Sequence, residues 1–302
     1  MVAKIGQSSA KGVSLPKETK APAKAAQPAS AGSTQKTWQP GGAAKKAPAG
    51  GALKIAKAEI GDGPKTTEKL TLPKGYSQVD SRFQVNDGFK LTDGRDAKLE
   101  VDYQRLSIKG PDGKAFEVLP PDTQALGETK KWFHEEFEGK TKAELEMSGF
   151  PEWSDERAFL GAGGAGKMVS IMESVNSYEG GAHPNHGTAL MTLDVRNGKQ
   201  MKLDDLLPRA TVDKLAQNIA ARLQTMKTSD GDVDGSVFNM GGDVKSVRDA
   251  INSSFALTQD KSGKVNIDIA WESGIHAMGG LMAHFTVPAP TDDAFKAKIG
   301  ME

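Results

Sequence analysis

The chain of 302 residues contains no cysteine. Disulfide bonds, thiolate catalysis and cysteine-based zinc sites are therefore excluded. No stretch approaches the roughly 18 consecutive apolar residues that a membrane-spanning helix needs. The first seven residues also lack the apolar core of a secretory signal peptide. As written, the sequence predicts a soluble protein without an evident general export signal, and its compartment stays unknown.

Acidic and aromatic residues are scarce at the N-terminal end. Residues 1–57 hold ten lysines against one acidic residue, Glu18, and their single aromatic residue is Trp38. Because the whole chain has 39 basic and 39 acidic residues, the remainder carries 29 basic and 38 acidic ones. A composition rich in Ala, Lys and Pro cannot offset the entropy of ordering. Residues 1–60 are therefore predicted to be a disordered basic tail. It can contact an anionic surface or its own acidic body, and nucleic acid is the partner we expect least.

From Leu70 onward the pattern is typical of a folded domain. Residues 98–108 alternate between apolar and polar side chains, as a half-buried strand does. One or two helices are predicted between Thr123 and Met147, and an amphipathic helix is predicted from Thr211, its N-cap, to Thr225. Further strands are predicted at 76–85, 116–119, 158–160, 168–175, 265–271 and 281–287. Since strands and helices do not alternate strictly, the predicted class is α+β, an antiparallel sheet with packed helices.

Gly161–Lys167 has the spacing of a phosphate-binding loop. That loop needs a hydroxyl side chain after the lysine and must open a helix. Here Met168 stands in the hydroxyl position, and the residues after it have the pattern of a strand. A glycine-rich hairpin is the better interpretation.

The segment Asp230–Gly235 matches the first half of a calcium loop. Carboxylates at alternate positions, here Asp230, Asp232 and Asp234, can converge on one hard cation. The acidic residue that closes such a loop is replaced by Gly241. The segment therefore predicts either a weak calcium site or an exposed connection between elements.

The densest group of polar side chains is Asn176–His186, in which two glycines separate Tyr178 and Glu179 from His183 and His186. Glu179 and the two histidines could ligate a metal, or they could hydrogen-bond a loop. Glu179 with Glu173 or Asp194 could form the acid pair of a glycoside hydrolase. No Gly-x-Ser-x-Gly elbow is present, so no catalytic constellation follows from spacing alone.

The turn Tyr178–His183, the hairpin at Asn197–Gly198 and the segment Leu203–Leu207 occur in that order. Together they resemble the domain of unknown function 3298, found in RsiV-type, lysozyme-sensing anti-sigma factors. The resemblance implies an RsiV-like α+β domain over residues 168–302, preceded by a companion α+β module over residues 61–167. It also implies an extracytoplasmic location, with lysozyme or peptidoglycan of the cell envelope as candidate ligands.

The function predicted from the sequence is that of a non-catalytic binding module. Its ligand-binding residues are predicted to be Tyr178, Glu179, His183 and His186. Two alternatives stay open: a glycan-acting or metal-dependent hydrolase of the cell envelope, and a calcium-binding secreted protein. No cofactor is predicted other than the calcium that the loop at Asp230 could hold.

Overall fold

A computed structural model describes residues 53–181, 184–228, 231, 235, 244–272 and 281–301. Its strands are β1 (Lys57–Gly61), β2 (Ser77–Lys90), β3 (Asp96–Lys109), β4 (Ala115–Val118), β5 (Glu152–Ala165), β6 (Met168–Glu179), β7 (Asn185–Asp194), β8 (Lys199–Gln200), β9 (Ala256–Gln259), β10 (Val265–Glu272) and β11 (Met282–Pro288). Its helices are α1 (Thr123–Phe137), α2 (Lys142–Leu145), α3 (Leu203–Leu206), α4 (Arg209–Leu223), α5 (Val244–Ser253) and α6 (Asp293–Ile299). None of the described helices has the length and apolarity needed to span a membrane.

The larger sheet has seven strands in the order β2-β3-β5-β6-β7-β8, with β4 paired to β3. All of its pairings are antiparallel except β3 with β5, which are parallel. The chain between these two strands contains α1 and α2, which provide the crossover that a parallel pair requires. The sheet is therefore mixed: it is antiparallel, as predicted, in every pairing except that of β3 with β5.

The smaller sheet has four strands in the order β1-β11-β10-β9. Its side chains alternate between two cores, as the two-residue period of a strand requires. Val265, Ile267 and Ile269 of β10 join the buried side chains of α3 to α6, whereas Ala270 packs with Leu190 of the larger sheet. The smaller sheet thus has helices on one face and the larger sheet on the other.

Buried polar side chains connect the two sheets. Ser170 and Thr192 lie 3.0 Å apart on β6 and β7, and neither is exposed to solvent. The Ser170 hydroxyl accepts the Leu257 N–H at 2.7 Å, and the Thr192 hydroxyl donates to the Phe255 carbonyl at 2.9 Å. These bonds satisfy backbone groups at and just before β9 that lie inside the core.

Helix α1 packs on the larger sheet through a separate core. Its start is fixed by Asp122, whose carboxylate accepts the N–H groups of Gln124 and Ala125. Its buried residues Leu126, Phe133 and Phe137 pack against β3 and Trp153 of β5. The end of α1 therefore lies beside the first residues of β5.

The α+β class predicted from the sequence is confirmed, with strands and helices near most of the predicted ranges. Two details were wrong. Strand β1 begins at Lys57, because Ile60 joins the core and the strand pairs with β11, so the predicted tail is too long by a few residues. Helix α4 begins at Arg209 after Pro208, whose ring suits a helix start, and Thr211 lies buried in its first turn.

Residues 1–52 lie outside the described residues. The described residues all belong to one compact unit. The predicted boundary between residues 167 and 168 falls in the turn between β5 and β6. The division into a companion module and an RsiV-like domain stays a prediction.

The glycine-rich stretch Gly161–Lys167 forms a hairpin, as predicted from its sequence. It runs from the end of β5 into the turn before β6 and opens no helix. A side chain at Gly163 would lie 2.8 Å from the Leu257 carbonyl oxygen, so glycine here allows the smaller sheet to approach.

Candidate functional site

The Tyr-Glu-Gly-Gly turn begins where β6 ends, at Glu179. Gly180 has a φ of +74°, and a Cβ there would lie 2.4 Å from the Phe150 carbonyl oxygen. The Gly180 carbonyl accepts the Phe150 N–H at 3.0 Å. Around Gly181 the described residues leave open space. Gly180 is therefore required by the backbone, because it holds the end of β6 against the segment before β5.

Tyr178 and Glu179 project from opposite faces of the sheet, because neighbouring residues of a strand alternate. Tyr178 lies opposite Ser154 in the β5–β6 register, and Glu179 lies opposite Trp153. The two predicted ligand-binding residues therefore do not form one cluster. Each borders a different pocket.

Glu179 borders a cleft of about 300 Å³ between α1 and the start of β5. We call it the acidic cleft; its lining consists of Trp132, Glu135, Glu136, Phe137, Gly149, Trp153 and Glu179. Three carboxylates and two indoles face it, and none of the described residues that line it is basic. Trp132 is 55% exposed, which is unusual for so large an apolar side chain. This combination suits a ligand with apolar surface and positive charge.

The inner wall of the acidic cleft is made of packed aromatic rings. Trp153 packs against Phe133 and Phe137, with ring centroids 5.6 Å and 5.9 Å away. Such tilted and edge-to-face arrangements are the favoured ones. Trp153 is therefore held in place from within the core, while the exposed Trp132 is accessible to a partner.

Tyr178 borders a second pocket of about 230 Å³, the tyrosine pocket, on the other face. Its lining is Lys98, Glu100, Glu152, Trp153, Ser154 and Tyr178. Trp153 thus separates the two pockets at the end of the sheet where β5 begins and β6 ends. A ligand lying over this end of the sheet could contact both.

His186 is exposed on β7 and lies opposite Asn176. By strand alternation it shares a face with Tyr178 and not with Glu179. His183 lies outside the described residues, as do Asp230, Asp232 and Asp234. Calcium binding at these aspartates stays a prediction. Within the described residues, no group of three or more His, Asp or Glu side chains is arranged to hold a metal.

The acid pairs considered from the sequence do not form. Glu173 and Glu179 are six residues apart on β6, about 20 Å at the rise of an extended strand. Asp194 lies opposite Met168 at the other end of β6, roughly 35 Å from Glu179. Carboxylates that cleave a glycoside stand about 5–9.5 Å apart. Neither residue can therefore partner Glu179 in that chemistry.

Both of those acids have structural partners instead. Glu173 forms an ion pair with Arg157 at 3.2 Å, and burial raises the pKa of Glu173 against the opposing effect of Arg157. Asp194 accepts hydrogen bonds from Arg196 in the β7–β8 turn, the shortest at 2.7 Å. Burial would raise the pKa of Asp194, but these bonds lower it.

His134 connects the helix of the acidic cleft to the sheet. Its Nδ1 lies 2.8 Å from Glu138 and its Nε2 lies 3.3 Å from Asp87 of β2. The hydrogen bond with Glu138, followed by that with Asp87, raises the pKa of His134. Lys130 also contacts Asp87, at 2.9 Å, and lowers the pKa of that carboxyl. These contacts between charged side chains therefore connect α1 to β2, the edge strand of the sheet.

His284 has a structural position, buried between the strands of the smaller sheet. Its Nδ1 lies 3.1 Å from Glu59 of β1, and its Nε2 lies 3.1 Å from Asp268 of β10. Thr258 and Thr286 donate to the same Asp268 carboxylate at 2.6 Å each. Burial would raise the pKa of Asp268, but its three hydrogen bonds lower it. This network joins all four strands of the smaller sheet.

Of the residues that line the acidic cleft, sequence reasoning found only Glu179 and missed the other six, which include Trp132, Glu135, Glu136 and Trp153. The sequence does contain one indication that Trp132 could contact a partner. In α1 the buried residues Leu126, Phe133 and Phe137 have helical spacing, and Trp132 lies off that face. A large aromatic residue on the polar face of a helix is a candidate for contact with a partner.

Comparison with known proteins finds similarity to solved structures. No protein-family model matches the chain, and no curated protein matches it. A member of the DUF3298 family from Bacteroides fragilis is 17% identical with a TM-score of 0.39, and the match covers 75% of this chain and 92% of that one. A DUF3298 family protein from Pseudomonas aeruginosa is 20% identical with a TM-score of 0.27, covering 52% and 72%. The chain is thus similar to solved structures of the DUF3298 family.

Proposed function

We propose that this protein is a non-catalytic binding module that recognises a ligand of the cell envelope. The observation that carries the proposal is the acidic cleft, where the exposed Trp132 stands among Glu135, Glu136 and Glu179. Large aromatic side chains in a partly open cleft are typical of recognition surfaces. The tyrosine pocket extends this surface across the end of the sheet.

Charge favours a cationic protein over a glycan as the ligand. Three carboxylates line the acidic cleft, with no basic side chain among its described lining residues. The chain after residue 57 also has nine more acidic than basic residues. This distribution attracts a positively charged partner and speeds its association. Among the ligands that the sequence resemblance suggests, lysozyme is a basic protein, whereas peptidoglycan carries free carboxylates. Lysozyme is therefore the first candidate and peptidoglycan the second.

Direct contacts are assigned to Tyr178, Glu179, His183 and His186. Glu179 would act from the acidic cleft and Tyr178 from the tyrosine pocket. His186 lies on the face that Tyr178 occupies. Glu173 and Asp194, the two partners suggested by the sequence, lie too far from Glu179 for glycoside cleavage, and we assign Glu179 the role of attracting and orienting the ligand.

The test is a binding measurement with hen lysozyme by calorimetry and with insoluble peptidoglycan by sedimentation. Trp132→Ala removes an exposed ring, and we expect it to weaken binding by at least about tenfold, the effect of a central aromatic contact. Glu179→Gln should weaken binding less and make it less sensitive to salt. Glu128→Gln, the same charge change on an exposed part of α1 outside the cleft, is the matched control.

The outcomes separate the possibilities. Retention of lysozyme alone, lost in Trp132→Ala and kept in Glu128→Gln, supports the cleft and the cationic ligand. Retention of peptidoglycan alone supports the cleft but contradicts the charge argument. If neither is retained, the proposed ligands are wrong. Release of reducing sugar from peptidoglycan, abolished by Glu179→Gln, would contradict a non-catalytic role.

A further inference from the structure

Strand β2 is a long edge strand. It has 14 residues, Ser77–Lys90, and within the described residues it pairs only with β3. Its other edge therefore presents a row of backbone N–H and C=O groups that no described strand pairs with. All of its side chains are exposed or half-buried. An edge of this length is a template for pairing with another strand, and proteins usually protect it.

Two of the usual protections, proline and a β-bulge, are absent from β2. It contains no proline, and its register with β3 is unbroken from Ser77 to Lys90, so no bulge bends it away. Its charged side chains already have partners within the same chain, so pairing of the edge strands need not bring unpaired charges together. Those contacts are Arg82 with Asp102 at 2.8 Å, Asp87 with Lys130 at 2.9 Å, Lys90 with Asp96 at 2.7 Å, and Asp80 with the amides of Gln78 and Gln104.

The sequence of β2 is complementary to itself in one antiparallel register. That register places Gln84 opposite Gln84 of a second copy. The pairs on the face of α1 are then Val79–Phe89, Ser81–Asp87 and Phe83–Val85, and those on the other face are Gln78–Lys90, Asp80–Gly88 and Arg82–Asn86. Each apolar residue meets an apolar one, and no like charges stand opposite each other. Aromatic and β-branched residues in direct opposition are favourable cross-strand pairs.

Other registers lack this property. A two-fold axis perpendicular to the sheet keeps each face on its own side, so only registers centred on a residue are possible. Centring on Phe83 places Val79 opposite Asp87, and centring on Val85 places Phe83 opposite Asp87. Centring two residues away from Gln84 places Arg82 opposite another Arg82 or opposite Lys90. The register centred on Gln84 is therefore preferred.

Pairing in the same register would extend the hydrophobic core beneath α1, which now ends at the edge strand β2. Phe83, Val85 and Phe89 are only partly buried where they pack against the core beneath α1. Val79 is 49% exposed, although it belongs to the same row. In the paired arrangement Phe83 and Val85 would cover each other, and Val79 would lie beside Phe89 of the second copy. Apolar area now in water would be buried.

We propose that two copies of this chain form a symmetric dimer by antiparallel pairing of residues 78–90 of β2, centred on Gln84. The two large sheets then form one continuous sheet. The proposal is independent of the ligand of the acidic cleft, since it uses the edge of β2 that no described strand pairs with and none of the residues that line the cleft.

The mass of the full chain in solution tests the proposal. Sedimentation velocity across a concentration series should show a species of twice the 32.0 kDa chain mass. Gln84→Lys places two lysines opposite each other only in the dimer. Like charges in direct opposition should raise the dimer dissociation constant about fivefold at low salt. Gln84→Glu should act in the same way. An equimolar mixture of the two variants should restore dimer formation, because lysine then faces glutamate.

Ser81→Lys is the control for added charge: it lies opposite Asp87 of the second copy and, within its own chain, opposite Arg105, which is already paired with Glu117. It should leave the dimer intact. A mass of 32.0 kDa at all concentrations would overturn the proposal. A dimer weakened equally by both lysine substitutions, or one that the mixture of charge variants does not restore, would overturn the register and with it the proposed β2 pairing.

Discussion

Replacing Gly180 by alanine should destabilise the fold, while the same change at Gly181 should not. The two glycines are neighbours in the Tyr-Glu-Gly-Gly turn, so they provide a matched pair. Gly180 has a left-handed φ of +74°, and its missing Cβ leaves room for the Phe150 backbone. A Cβ at Gly181 would have no atom of the described part of the chain within 4 Å of it. Only the first glycine is therefore required by the structure.

The magnitude for Gly180→Ala has two sources. A non-glycine residue in a left-handed conformation costs about 1–2 kcal/mol. The new Cβ would lie 2.4 Å from the Phe150 carbonyl oxygen and 2.9 Å from its nitrogen, so the backbone must shift. That shift weakens the 3.0 Å hydrogen bond between the Phe150 N–H and the Gly180 carbonyl, with a net value of about 1 kcal/mol. The sum is a loss of roughly 2–3 kcal/mol.

Urea denaturation followed by tryptophan fluorescence measures this difference. The midpoint of Gly180→Ala should fall at an unchanged slope, since the folded area stays nearly the same. Gly181→Ala should leave the free energy of unfolding unchanged, or raise it by about 0.4–1 kcal/mol because alanine reduces the conformational entropy of the unfolded chain. If the two variants differed by less than about 0.5 kcal/mol, the steric reasoning would be refuted.

Two further changes probe other contacts. Ser170→Ala removes the acceptor of the buried Leu257 N–H, so urea denaturation should show a loss of about 1–3 kcal/mol; an unchanged midpoint would contradict the role of this bond. The raised pKa of His134 means that its contacts with Glu138 and Asp87 stabilise the protein fully below pH 6.5 and lose this effect as pH rises through the folded pKa. Wild type should therefore lose more stability than His134→Gln between about pH 6 and pH 8, and equal losses would show that His134 adds nothing.

Local patterns predicted the elements whose signals lie within a few residues. Strand β3 was visible because apolar and polar residues alternate along it, and the hairpin at Asn197–Gly198 because that dipeptide suits a tight turn. Helix α1 ends at Phe137, two residues before Gly139, within the range where one or two helices were predicted. Such signals need no knowledge of distant residues.

Long-range pairing could not be inferred in the same way. Strand β1 consists of five residues with no alternation of its own, and it is a strand because it pairs with β11 more than 200 residues later. The parallel contact of β3 with β5 likewise depends on the crossover through α1 and α2. In both cases the energy that selects the strand comes from a partner distant in sequence.

The candidate site shows the same limit. Tyr178 and Glu179 were correctly placed next to a glycine turn, but their separation onto two faces follows from β6 extending as far as Glu179. A loop would not have imposed that alternation. The aromatic half of the acidic cleft comes from α1 and β5, which meet Glu179 only in the folded chain. Its residues could not be grouped by spacing.

The geometry of Gly180 also decides which variants can test recognition. Gly180 anchors the segment Gly149–Phe150, and Gly149 itself lines the acidic cleft beside Glu179. A substitution at Gly180 would therefore reshape the cleft as well as destabilise the fold, and a loss of binding in that variant would not identify a contact. Trp132 and Glu179 are exposed side chains whose replacement leaves the backbone turn intact. A binding defect confined to these two positions would assign recognition to the cleft and leave the glycine turn with its structural role.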